Sequence, residues 1–318
     1  FFFQAEDGKP DSVASRGLGD VYKRQLITPF KDNNLDEENY IKLINFHLEN
    51  NTNGLVPAGT TGESPTLTHD EQAELIATVV NAVDAPVIAG AGSNDTSAAI
   101  ELTQKADQAG ASAILSVTPY YNRPSQAGLM DHFRAIAGAT ELPIVLYDIP
   151  ARSGRKIETE TLLELAHNVD NIVALKDAAG DPSETAYFLS EAPKEFEVYS
   201  GDDSLTLPLM AIGAVGVVGV ATHWTGSEHQ KMMLAIENGN LEEAGRINAN
   251  LQNSFLYESS LEAPNPIPAK VMMELIGFQV GKGRPPMHSV PPNLRDLAAK
   301  VLAETEIGKS IESDRSGD

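Results

Sequence analysis

Short apolar runs alternate with amphipathic helical stretches along most of this chain, which restricts it to successive βα units and a parallel sheet. The strand candidates are Leu26–Phe30, Gly54–Pro57, Pro86–Ala89, Ala113–Val117, Pro143–Tyr147, Ile172–Lys176, Phe196–Ser200 and Val215–Val218. Between them the helical pattern covers Asp36–Asn50, His69–Val83, Thr96–Ala109, Ser125–Ala139, Glu158–Asn168, Ser183–Glu191 and Leu205–Ile212, several opening on a capping Asp, Thr or Ser. Eight parallel strands ringed by helices make an α/β (β/α)8 TIM barrel, expected over residues 26–226. Beyond the last strand the pattern is purely helical, near Ser227–Glu237, Leu241–Glu258, Pro268–Ile276 and Pro292–Ala303. Residues 227–303 therefore read as a C-terminal helical extension, and the polar stretch 304–318 as a flexible tail.

Residues 1–25 lack both periodicities, and the character of the chain changes at Leu26. Three Phe residues precede an acidic, Gly-containing tract, the reverse of a signal peptide's basic start and apolar core. The pieces FQAEDG and SRGLGDVYKRQ look like translated sequencing-adapter scars, so this segment is read as non-native and outside the fold.

Composition removes several function classes. The chain has no cysteine, which excludes disulfides, thiolate nucleophiles and Cys-ligated metals and agrees with a cytoplasmic location. The net charge of −22, from 45 acidic against 23 basic residues, argues against nucleic-acid or anionic-membrane partners. The longest apolar stretch, Ala211–Ala221, is interrupted by Gly213, Gly216 and Gly219 and falls short of the roughly 20 residues that cross a bilayer. The seven His residues show no H-x-x-x-H or H-E-x-x-H spacing, so no metal is expected. Neither a P-loop nor a dinucleotide fingerprint occurs, so no nucleotide cofactor is expected either.

In a TIM barrel the reactive groups sit at the C-terminal strand ends. Strand six ends in Lys176, and a lysine walled by apolar side chains loses ammonium solvation and becomes a nucleophilic amine. The same position also suits a lysine that reaches out to water. Strand five ends in Tyr147, which adjacency places beside Lys176 as a proton carrier or as packing at the rim. The loop Ala58–Ser64 combines glycines with the hydroxyls of Thr60 and Thr61, suited to a small carboxylate. Arg152, after strand five, suits bidentate carboxylate capture, and Gly201, after strand seven, permits close approach to a ligand or simply turns the chain.

The segments GTTGESPTL, VTPYYNRPSQAGL, LYDIP-x-R-S-G, ALKDAAG and SGDD, in this order and each at a strand end, resemble the dihydrodipicolinate synthase family, within the wider group of pyruvate aldolases. The resemblance spans about Leu26 to Ala303. It implies that Lys176 forms a Schiff base with pyruvate and that Thr60, Tyr147 and Tyr121 pass protons, with Tyr121 supplied across a tight-dimer interface of a homotetramer. It further implies Thr61 on the pyruvate carboxylate, Arg152 on the carboxylate of aspartate semialdehyde, and Gly201 and Val218 lining the pocket. Sugar-acid and N-acetylneuraminate aldolases are the rival enzymes, and a barrel that binds without catalysis is the remote one. Gln72 and Ala98 stand where a His and a Glu help bind inhibitory lysine in relatives, so feedback by lysine is expected to be weak or absent. The apolar residues that open the family's first strand are missing, so a barrel less well sealed at its N-terminal face is expected.

Overall fold

A computed structural model describes residues 21–50 and 52–316. Its main sheet has eight strands: β1 (Val21–Gln25), β2 (Gly54–Val56), β3 (Ile88–Gly90), β4 (Ala113–Val117), β5 (Ile144–Asp148), β6 (Ile172–Asp177), β7 (Glu197–Ser200) and β8 (Gly216–Gly219). The order β2-β1-β8-β7-β6-β5-β4-β3 is parallel throughout, and a parallel bridge between Leu55 and Val87 closes the ring. The expected (β/α)8 barrel is therefore what forms.

Strands two to eight lie where the apolar runs put them. They read as continuous apolar runs because both faces are buried. Leu115, Val145, Tyr147, Ala174 and Val218 point into the barrel, while their neighbours Ile114, Leu146 and Leu175 pack outward against Leu129, Phe133, Leu165 and Phe188. The helices α1 (Glu37–Glu49), α2 (His69–Ala82), α3 (Thr96–Gln108), α4 (Gln126–Ala137), α5 (Thr159–Asn168), α6 (Pro182–Glu191) and α7 (Thr206–Ala211) follow in turn. Asp36, Asp95, Ser125 and Asp181 cap their helices, and Thr68 with Glu71 completes a capping box on α2.

The first strand is a correction. Leu26–Phe30 was the expected strand, but the sheet is completed by Val21–Gln25, the end of the segment read as outside the fold. Residues 1–20 of that segment lie outside the described residues. Leu26 and Ile27 are buried beyond the strand's end, and Phe30–Lys31 pairs with Asn34–Leu35 in a small hairpin. Composition concealed β1, because Lys23, Arg24 and Gln25 are all buried. Alternation sends Lys23 and Gln25 inward and Arg24 outward. The Lys23 ammonium lies 4.0 Å from the Tyr199 ring centroid, and Arg24 meets Nδ1 of His47 on α1. His47 stacks edge-on to His223, whose imidazole is pushed down to about 3 by burial and by Arg24.

The C-terminal extension contains α8 (Gly226–Glu237), α9 (Leu241–Tyr257), α10 (Ile267–Ile276) and α11 (Leu294–Glu304). The stretch expected to be a flexible tail instead forms α12 (Glu306–Ser316). Its first turn is pinned to α8, with Glu306 accepting from Ser227 Oγ and Lys231 Nζ at 2.5 Å and its N–H donating to Glu228 at 2.6 Å. Such anchoring through polar groups leaves no apolar periodicity to read.

Burying two cations in β1 carries a desolvation cost that their partners offset only in part. Replacing them together, Lys23→Ile with Arg24→Val, is expected to raise the unfolding free energy by about 1–4 kcal/mol. Urea denaturation of the two proteins measures it, and a lower midpoint in the double variant would contradict the expectation.

Candidate active site

The parallel register of β5 and β6 sets Tyr147 directly beside Lys176. Lys176 is only 1% exposed, and its Nζ lies 4.2 Å from the Tyr147 ring centroid. Burial lowers the amine to about 7, against the upward pull of Asp203, with Arg152 adding to the lowering and Glu258 opposing it. Near neutrality a large share of Lys176 is therefore the uncharged, nucleophilic amine. Tyr147 moves the other way, pushed up to about 12 by burial against the opposing effects of Arg152 and a hydrogen bond with Thr60. It keeps its proton at neutral pH and can give or pass it.

Gly201 makes room for the lysine. A Cβ there would stand 2.9 and 3.0 Å from Cγ and Cε of Lys176, closer than carbon atoms approach. Val218 is buried in the barrel interior with Tyr147.

The loop after β2 is held in an unusual backbone shape, with Ala58 and Glu63 in the left-handed region at φ 54° and 59°. Several bonds secure it. Glu63 N–H donates to Thr60 O at 3.1 Å, and Thr28 Oγ1 donates to Gly62 O at 2.7 Å. The buried Glu63 carboxylate pairs with Lys270 of α10 at 2.6 Å and accepts from Arg284 N at 2.9 Å. This leaves the Thr60 side chain on Tyr147 and Thr61 Oγ1 accepting from Asn265 Nδ2 at 3.0 Å. Arg152, exposed on the one-turn helix Pro150–Ser153, donates to the Asn265 carbonyl at 3.3 Å.

Lys176, Tyr147, Thr60, Thr61, Arg152, Gly201 and Val218 are thus gathered at the barrel mouth. Tyr121 is not among them. It is 89% exposed, at φ 74°, with its backbone N–H on Ser153 O at 3.2 Å. Within one chain its phenol faces solvent while Lys176 is enclosed.

Three polar residues of this region, Gln25, Asn265 and Glu258, escaped the sequence reading, and a fourth, Asp203, was read only as part of an acidic turn. Gln25 accepts a hydrogen bond from Lys176 Nζ at 2.5 Å, and Asn265 bridges Thr61 to Arg152. In the Gly201-Asp202-Asp203 turn, Asp202 caps the following turn by accepting from Ser204 N, whereas Asp203 is buried and accepts from Val220 N at 2.7 Å. Glu258 accepts from Ala221 N at 3.1 Å and is held well above the usual carboxylate range by burial and by Asp203. Only Asp203 had a signal, the doubled Asp. Among the described residues no group of His, Asp and Glu side chains could hold a metal ion, and no helix is long and apolar enough to cross a membrane.

This arrangement coincides with a match to the dihydrodipicolinate synthetase family model over residues 23–305. The chain belongs to that family. The match begins within β1 and ends just before α12. The 4-hydroxy-tetrahydrodipicolinate synthase of Bacillus subtilis is 44% identical over 282 residues, covering 88% of this chain and 97% of that protein. One of two such synthases in Halalkalibacterium halodurans is 46% identical over 272 residues, covering 84% and 91%. Among solved structures, dihydrodipicolinate synthase of Bacillus anthracis is 42% identical with a TM-score of 0.86, over 89% of this chain and 97% of that one. The enzyme of Cyanidioschyzon merolae, solved with lysine bound, is 41% identical with a TM-score of 0.87, over 90% and 98%.

Because Glu63 and Lys270 neutralise each other out of water, removing one charge strands the other. Glu63→Gln is expected to cost about 3–5 kcal/mol of stability, read by denaturant unfolding. A loss below about 1 kcal/mol, the range of surface pairs, would show that the pair does not hold the loop.

Proposed function

We propose that this chain is a 4-hydroxy-tetrahydrodipicolinate synthase, condensing pyruvate with L-aspartate 4-semialdehyde. The observation that carries the reading is a buried lysine amine, brought down to about 7, in register with a protonated Tyr147. Family membership and the names of the relatives supply the substrates.

The Lys176 amine adds to the ketone carbon of pyruvate, and loss of water gives an imine. The imine draws electrons from the methyl group, which gives up a proton to become an enamine carbon. That carbon attacks the aldehyde of the second substrate and forms the new C–C bond. Tyr147, bonded to Thr60, carries the protons these steps release and consume. Thr61 and the backbone of its loop receive the pyruvate carboxylate, and Arg152 at the mouth receives that of the semialdehyde. Gly201 and Val218 line the pocket around the lysine.

Tyr121 fits this scheme if it serves another copy of the chain. Its left-handed backbone and 89% exposure suit a side chain that projects across an interface, so a homotetramer built from tight dimers is part of the proposal. The location proposed is the cytoplasm.

Borohydride trapping with pyruvate, followed by peptide mass analysis, is expected to place a stable adduct on Lys176 and none in Lys176→Ala. The trapping rate should climb as pH rises through about 7, because the ammonium form below that pH cannot attack. In a coupled assay the protein should turn over pyruvate with aspartate semialdehyde. Turnover with a sugar aldehyde alone would assign it to the sugar-acid aldolases.

Lysine is expected to be a poor inhibitor. Gln72 is buried and donates its side-chain amide to Ser64 O at 3.1 Å, and Ala98 offers no charge for an effector's ammonium. Clear inhibition at submillimolar lysine in the same assay would contradict this.

A further inference from the structure

Gln25 sits where the proposed chemistry has no use for a carboxamide. As the last residue of β1 it points, like Lys23 two positions earlier, into the barrel. Its side chain is buried, and Oε1 accepts from Nζ of Lys176 at 2.5 Å. On its other side the carboxamide lies against the backbone of Gly59, where a methyl group would stand 2.5 Å from Nε2 and 3.0 Å from Cδ. The group therefore spans from the amine that takes a ketone to the loop that takes the neighbouring carboxylate. Nε2 has no hydrogen-bond partner among the described residues, so the lysine is the polar anchor of this side chain.

We propose that in this chain Gln25, the last residue of the segment whose sequence reads as non-native, acts as a latch on Lys176: its carboxamide occupies the ground a 2-oxo acid needs and ties down the amine, so that pyruvate engages only when this hydrogen bond opens. The inference rests on the reading of Lys176 as the imine-forming residue. A carboxamide oxygen accepts hydrogen bonds but is too weak a base to take the amine's proton. It also binds an ammonium more strongly than an amine, because charge assistance shortens and strengthens the bond. Both effects oppose the nucleophile, one by filling space and the other by favouring protonation. Gln25 contributes no atom to the reaction. The amine still forms its bond to the ketone carbon, and one water still leaves.

The test compares borohydride trapping with limiting pyruvate in the wild-type chain, Gln25→Ala, Gln25→Leu and Gln25→Glu, each across a range of pH. Loss of a hydrogen bond to a charged group predicts a pH-profile midpoint about one unit lower in Gln25→Ala, and with it trapping about tenfold faster well below pH 6 and about twofold faster at pH 7. Gln25→Leu keeps the bulk without the acceptor and should share the lower midpoint. Gln25→Glu sets a carboxylate against the amine and should trap more slowly, with a higher midpoint. General loosening of the barrel would not move the two midpoints in opposite directions. Thermal unfolding verifies that each variant is folded, and Gln25→Leu decides the matter should Gln25→Ala fail to fold. Wild-type rates and midpoints in the Ala and Leu variants would overturn the latch, as would slower trapping in a folded Gln25→Ala. Trapping in none of the four proteins would refute the imine reading itself, and the latch with it.

Discussion

Burial of one amine organises this structure. Water stabilises an ammonium strongly, and the barrel interior withdraws that water from Lys176, leaving its amine near 7. The charges around it set how far this goes. Asp203 and Glu258 pull the value back up, and Arg152 pushes it further down. A more apolar pocket would release more free amine at a greater cost to folding, and a fully paired lysine would be a plain ammonium. Partial compensation keeps the group both foldable and reactive, the compromise general for catalytic acids and bases.

That compromise depends on elements far apart in the chain. The barrel supplies Lys176 and Tyr147, but the loop carrying Thr60 and Thr61 takes its shape from the Glu63–Lys270 pair, and Thr61 is met by Asn265. Arg284 reinforces the same region, bonding Glu71 at 2.6 Å and holding that carboxylate down to about 2. Glu258, at the end of α9, reaches back to the turn after β8. The C-terminal helices are thus a structural wall of the site, not a cap laid over a finished barrel. The Glu63–Lys270 and Thr61–Asn265 contacts are buried, where a missing partner is costly, so the loop has few alternative conformations to visit.

What could be read from the sequence follows from this division. Seven strands, the outer helices and the residues at strand ends were legible because they follow local periodicity and the polarity of the barrel. Lys176 and Tyr147 were legible because a reactive side chain closes an apolar run at a strand end, and Thr60 and Thr61 because two hydroxyls stand among glycines in the loop that follows a strand. Asn265 and Glu258 were not, since both act through long-range contacts that no local pattern announces. The helix α12 was missed for a related reason, being anchored by Glu306 and not by an apolar face. Tyr121 shows the limit from the other side, because the role proposed for it needs a second copy, and one chain shows only its exposure.

The first strand was misread for a more instructive reason. Closing a barrel is a topological demand: a gap between β2 and β8 would leave two edges with unpaired backbone groups inside the protein. Backbone pairing is indifferent to side-chain chemistry, so whatever sequence precedes Leu26 is recruited to fill the gap, here Val21–Gln25. The side chains then go where alternation sends them. Lys23 finds an aromatic face, Arg24 an imidazole, and Gln25 the amine of Lys176. Polar residues in β1 are therefore no argument against the strand. They mark a position where the demand for closure outweighed the preference for apolar side chains, and where the consequence falls on the group that the rest of the barrel keeps reactive.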